Sequence, residues 1–130
     1  MNSFEFSSVD NVHFKALSQK CNLLAFPLIL LGIYHLSHAV FPSLYGNQIY
    51  PSYFIVMAIV DIFALIAAYF LICASKTYSY IVKTQGSDIS LLIIGNEQMR
   101  LALNCVCITL FLFSVRFVLA TPLWNAIAQP

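Results

Sequence analysis

Charge is what this sequence has least of. Six Lys and Arg and five Asp and Glu make up 8% of its 130 residues, against about 25% in a soluble domain. A water-soluble chain of this size has to cover a large surface with polar groups, and too few are present. Basic runs are missing as well. The net charge is +1, and no stretch of Lys and Arg is long enough to follow a phosphate backbone, which excludes the nucleic-acid binders. None of the spacings GxSxG, HExxH, CxxCH, P-loop or dinucleotide fingerprint occurs, so no catalytic chemistry is expected of the chain alone. It has no internal repeat and no low-complexity segment, and its length suits one membrane domain over 1–130.

Apolar residues fill the space that charge leaves. They make up 61% of the chain, and the mean hydropathy is +0.86. Lipid is therefore the expected solvent for most of it. Three apolar runs stand out, at 22–42, 53–74 and 101–121. The first holds no Asp, Glu, Lys or Arg, the second only Asp61 and the third only Arg116. Each is close to the ~20 residues that cross ~30 Å of hydrocarbon as a helix. No barrel-like alternation is present, so helices are the only reasonable spans. The first run starts too far into the chain, and is too long, for a cleaved signal peptide. Pro27 near its start implies either that the membrane helix begins there or that it kinks there. The expectation is an all-α integral membrane protein with three transmembrane helices.

Lys15, Lys20, Lys76, Lys83 and Arg100 all flank the spans on one side, while the 43–52 loop and the 122–130 tail carry no Lys or Arg. The positive-inside rule then puts the N-terminus on the cytoplasmic side and the C-terminus opposite. The setting this suits is a bacterial inner, thylakoid or organellar membrane. Tyr45, Tyr50, Tyr53 and Trp124 fall at the outer interface, and Tyr78 and Tyr80 at the inner one. Cys21, Cys73, Cys105 and Cys107 fall toward the cytoplasmic half, where thiols stay reduced. The Cys105-x-Cys107 spacing fits neither zinc nor a thioredoxin-type motif.

Outside the spans, 8–24 reads as an amphipathic helix with Val9, Val12, Ala16 and Leu24 on one side. With the rest of 1–21 it is expected to lie on the membrane surface. Ser7, three residues before Asp10, supplies a start signal. Residues 75–100 read as a cytoplasmic helical hairpin that prolongs spans two and three. Gln85–Ser87 forms its turn, Ser87 is a candidate N-cap, and Ile89, Leu92, Ile93 and Met99 give its second arm an apolar side. Glu97 and Arg100 are spaced to pair on its surface. The tail 122–130 is short and outer.

The residues with most to say are His35, His38, Asp61 and Arg116. Ionisable groups inside a bilayer cost a few kcal/mol each and need partners. Counted from the outer ends of their spans, all four lie at similar depth, roughly 6 to 12 Å down. Asp61 shares its side with Ala58, Ala64 and Ala68, and Arg116 shares its side with Cys105, Thr109 and Ala120. His35 is flanked by Gly32 and Ala39 and points the same way as His38. An Asp61–Arg116 ion pair between antiparallel spans is the expectation, with the histidines alongside. The plain reading of the pair is an assembly clip, and the functional one is a proton relay or an anion site. For the histidines the plain reading is hydrogen bonding within the bundle, and the functional one is axial ligation of haem iron or chlorophyll magnesium. Two histidines alone make a weak site for any other metal.

Taken together these features point to a small accessory subunit of a larger membrane complex, in contact with lipids and other membrane subunits. Respiratory and photosynthetic assemblies carry many subunits of this form, which is an analogy of class. A haem- or chlorophyll-binding subunit using His35 or His38 is the alternative. A homo-oligomeric transporter or channel using Asp61 and Arg116 is the second.

Overall fold

A computed structural model of the chain describes residues 6–40, 51–84 and 88–127; at 8, 35, 38–40, 51–57, 88 and 116–127 it describes the backbone alone. Three helices make up nearly all of it: α1 over Ser8–Val40, α2 over Pro51–Ile81 and α3 over Asp88–Ile127, with no strand among the described residues. Each contains a stretch long and apolar enough to cross a membrane: Val9–Tyr34, Ala58–Ile81 and Ile89–Val115. The three-span reading of the sequence agrees with this.

Local chemistry explains the helix ends. Ser7 caps α1. Its carbonyl accepts the Asn11 N–H at 3.0 Å, and its hydroxyl accepts the Asp10 N–H at 3.3 Å while the Asp10 carboxylate takes the Ser7 N–H at 3.1 Å. This is a reciprocal capping box with Asp at the third position. At the far end of α2 the Tyr80 carbonyl accepts the N–H groups of Lys83 and Thr84 and the Thr84 hydroxyl, each at 2.9 Å. Carbonyls that would otherwise be orphaned at the helix end are thereby satisfied. The expected turn at Gln85–Ser87 and the Ser87 cap lie outside the described residues.

α2 is the inner helix. Within the 18-residue apolar window of each stretch, 44% of the residues are buried in α2, against 22% in α1 and 11% in α3. α1 and α3 each pack along α2, and among the described residues no Cα of α1 lies within 8 Å of one in α3. Small side chains make the close approach workable. Val60, Ala64, Ala67, Ala68 and Ala74 are fully buried on α2, and Ala68 and Ala74 form one apolar cluster with Cys21 and Ala25 of α1 and Ala102 of α3. Gly32 lies against the Leu65 side chain, and Gly95 against the ring of Tyr78.

Several expectations change here. Residues 8–24 are not a separate surface helix. They are the first half of a single 33-residue helix that carries Pro27 in its interior, so the helix does not begin at Pro27. The reason is packing: Phe14, Leu17, Ser18, Cys21 and Ala25 are held against α2. The apolar side read from the sequence is the uncovered one, with Val9, Val12 and Leu24 at 64%, 66% and 57% exposure. Tyr78 is not an interfacial anchor. It is 1% exposed, with its ring stacked on Phe14 at 6.2 Å. On α3, Leu91, Leu92 and Met99 pack inward while Ile89 and Ile93 face out. That helix also runs past the expected 121 boundary to Ile127.

Candidate functional site

Among the described side chains, Asp61 is the one buried Asp, Glu, Lys, Arg or His, at 2% exposure. It sits about a third of the way along α2 with Val60, Ala64, Ala67 and Ala68, all at 1% or less. Those small neighbours let the flanking helices close over it. The burial has a cost: a carboxylate at this depth is unfavourable by a few kcal/mol unless compensated.

Contacts along the bundle set its register. On the α1–α2 side Ser18 meets Ser75 and Gly32 meets Leu65; on the α2–α3 side Tyr78 meets Asn96 and Thr77 meets Gln98. Both pairs of helices are therefore antiparallel. Continued at equal rise, this register puts Asp61 at about the height of Leu36 on α1 and Ser114 on α3. The backbone positions of His35, His38 and Arg116 fall within about a turn of that height. The side chains of His35, His38 and Arg116 lie outside the described residues. Gly32, one turn before His35, is buried at the helix crossing. Thr109, on the side of α3 assigned to Arg116, is 4% exposed, and its hydroxyl donates to the Cys105 carbonyl at 2.8 Å.

A second polar layer, nearer the α2–α3 turn, is absent from the sequence-based picture. Ser75 donates to the Ser18 carbonyl at 3.0 Å, and the two hydroxyls are 3.0 Å apart. Ser75 has one proton, so the Ser18 hydroxyl must donate to Ser75 in return. Thr77 Oγ1 lies 2.9 Å from the Gln98 side-chain amide and 3.1 Å from the Cys73 carbonyl. One hydroxyl proton serves both contacts when Gln98 turns its amide N–H toward Thr77. Tyr78 donates to Asn96 Oδ1 at 2.8 Å. Such bonds hold helices in register, at roughly 0.6 kcal/mol each in membrane bundles. The only advance signal was the polar character of Ser18, Ser75, Thr77, Asn96 and Gln98, which gains meaning once the register is known.

The remaining site expectations are more modest. Glu97 and Arg100 pair at 2.6 Å on the surface, with side chains 51% and 69% exposed. A bridge so exposed contributes little. The four cysteines are free thiols, Cys21 buried and Cys107 exposed. Among the described residues no group of three His, Cys, Asp or Glu side chains is arranged to hold a metal ion. No protein-family model, curated protein or solved structure matches the chain.

Proposed function

We propose that this chain is a structural subunit of a larger membrane complex, contributing helices and a protruding helical tip to which other subunits attach. The observation that carries this reading is apolar surface at the end where α2 turns into α3. Val9, Val12, Ile89 and Ile93 are 64%, 66%, 50% and 65% exposed there, among Asp10, Lys15, Glu97 and Arg100. Hydrocarbon does not solvate a surface so mixed with charge, and water leaves the apolar groups uncovered. Partner protein satisfies both.

Length supports the tip. Helices of 33, 31 and 40 residues span roughly 45 to 60 Å, against ~30 Å of hydrocarbon. The excess has to leave the bilayer, and the positive-inside count assigns the tip to the cytoplasmic side. Within the bilayer the reading makes Asp61 and Arg116 a clip between α2 and α3. The burial of Asp61 and the matching heights of the two positions support it. No catalysis is assigned to the chain.

Affinity purification in mild detergent, followed by native mass measurement, is the test. Stoichiometric co-purifying membrane subunits are expected. A lone monomer or pure homo-oligomer, recovered under conditions that keep neighbouring complexes intact, rules the reading out.

A further inference from the structure

We infer that the bundle carries a basic collar that binds the headgroups of anionic phospholipids. The register assembles the collar from all three helices. Lys20 lies two residues beyond Ser18, Lys76 one residue beyond Ser75, and Arg100 two residues beyond Gln98, which meets Thr77. In this antiparallel register the three cations fall within about 5 Å of one height. All three are exposed. The one described carboxylate at that height is Glu97, which bonds a single guanidinium nitrogen of Arg100. The other two described carboxylates are distant. Asp10 is ten residues along α1 from Lys20 and is engaged by Ser7, and Asp61 is fifteen residues along α2 from Lys76.

What adjoins the collar selects the ligand. On its membrane side the surface turns mainly apolar past the exposed Asn22 and Asn104, with Leu23, Leu24 and Phe26 on α1, Tyr69 on α2 and Leu103 on α3 all more than half exposed. On its other side lie polar and charged residues, Gln19, Asn96 and Glu97, with Lys15 a further turn along. A cation beside a wall of exposed leucines matches a molecule with a phosphate at one end and acyl chains at the other. Inorganic phosphate has no use for the wall, and a zwitterionic headgroup brings its own counter-charge to the phosphate. Juxtamembrane Lys and Arg favour anionic lipid by about fivefold in affinity each. The inference rests on the membrane reading of the three helices and is independent of any partner subunit.

The test uses the isolated full-length chain, so the presence or absence of partners does not enter. Native mass spectrometry is run in detergent with equimolar dioleoyl phosphatidylglycerol and dioleoyl phosphatidylcholine. The wild type is expected to retain phosphatidylglycerol preferentially. Lys20→Gln/Lys76→Gln/Arg100→Gln is expected to lower that preference at least tenfold, by the sum of its lost charges. Lys20→Arg/Lys76→Arg keeps the preference, and Lys83→Gln, beyond the collar, leaves it unchanged. Should the triple variant lose helicity, the exposed pair Lys20→Gln/Lys76→Gln carries the same comparison. Equal retention of the two lipids, or an unchanged preference after the collar is neutralised, overturns the inference. So does loss of bound phosphatidylglycerol to millimolar inorganic phosphate, which would make the collar a phosphate site.

Discussion

Gly95 of α3 lies so close to Tyr78 of α2 that a methyl group added to it would stand 2.9 Å from Cε1, 3.2 Å from Cζ and 3.3 Å from Cδ1 of the ring. The ring has little room to give way. It is 1% exposed, its hydroxyl is tied to Asn96, and its face is stacked on Phe14. Gly95→Ala gains up to ~1 kcal/mol of helix propensity and meets an overpacking penalty of ~1–3 kcal/mol. The expected outcome is a net loss of about 1 kcal/mol, with a larger loss for Gly95→Leu. Thermal unfolding in detergent, followed by circular dichroism, measures both. A Gly95→Leu protein as stable as the wild type would mean that α3 does not pack on Tyr78.

The Ser18–Ser75 contact predicts an asymmetry. Ser75 makes two bonds, donating to the Ser18 carbonyl and accepting from the Ser18 hydroxyl. Ser75→Ala removes both and strands the Ser18 hydroxyl in a buried position, at a cost of about 1–2 kcal/mol. Ser18→Ala removes one bond and leaves the Ser75 donor satisfied by the backbone, at about 0.6 kcal/mol. Steric trapping or denaturant titration in detergent should rank Ser75→Ala as the more damaging. The reverse order excludes the assigned proton direction.

The Ser18–Ser75 contact also shows what the sequence could and could not reveal. The spans, the prolongation of the second helix, the Ser7–Asp10 cap and the Glu97–Arg100 pair all depend on composition or on neighbours within four residues, and each was readable. Ser18 and Ser75 are 57 residues apart. Periodicity shows which side of 8–24 is apolar, and an upright helix shares that periodicity with one lying flat. It does not show that α2 covers Phe14, Ser18, Cys21 and Ala25 while Val9, Val12 and Leu24 stay exposed. Tyr78 was misread for a related reason. Aromatic residues near a span end are common interfacial anchors, and only the glycine opposite it on α3 reveals a slot for the ring. Asp61 was legible because a carboxylate in an apolar run needs explanation wherever it points.

Gly32 and Leu65 predict a coupling of opposite sign. A methyl at Gly32 would meet Leu65 Cγ and Cδ2 at 2.7 Å, so Gly32→Ala should cost stability by forcing α1 and α2 apart. Leu65→Ala alone should cost ~2 kcal/mol or more through lost packing. Combined, the smaller residue at 65 makes room for the methyl at 32. The double variant is then expected to be more stable than the sum of the singles by ~1 kcal/mol or more. Strict additivity would show that the two residues do not touch.

The proposed clip between Asp61 and Arg116 makes the most demanding prediction. Asp61 is 2% exposed, so replacing Arg116 with Gln would leave a buried carboxylate without its proposed counter-charge. Asp61→Asn would remove the counter-charge proposed for Arg116. Removing one partner of a buried pair costs ~3–5 kcal/mol, whereas replacing both with neutral groups is often close to neutral. Either single variant should therefore unfold at lower temperature than Asp61→Asn/Arg116→Gln. Flux through liposomes containing that double variant separates the clip from a transport role. If a flux is measured for the wild type and the double variant retains it in full, the two charges serve assembly and not the pathway. Single variants no less stable than the double one would show instead that Asp61 has found its partner elsewhere in the bundle, most directly on α1.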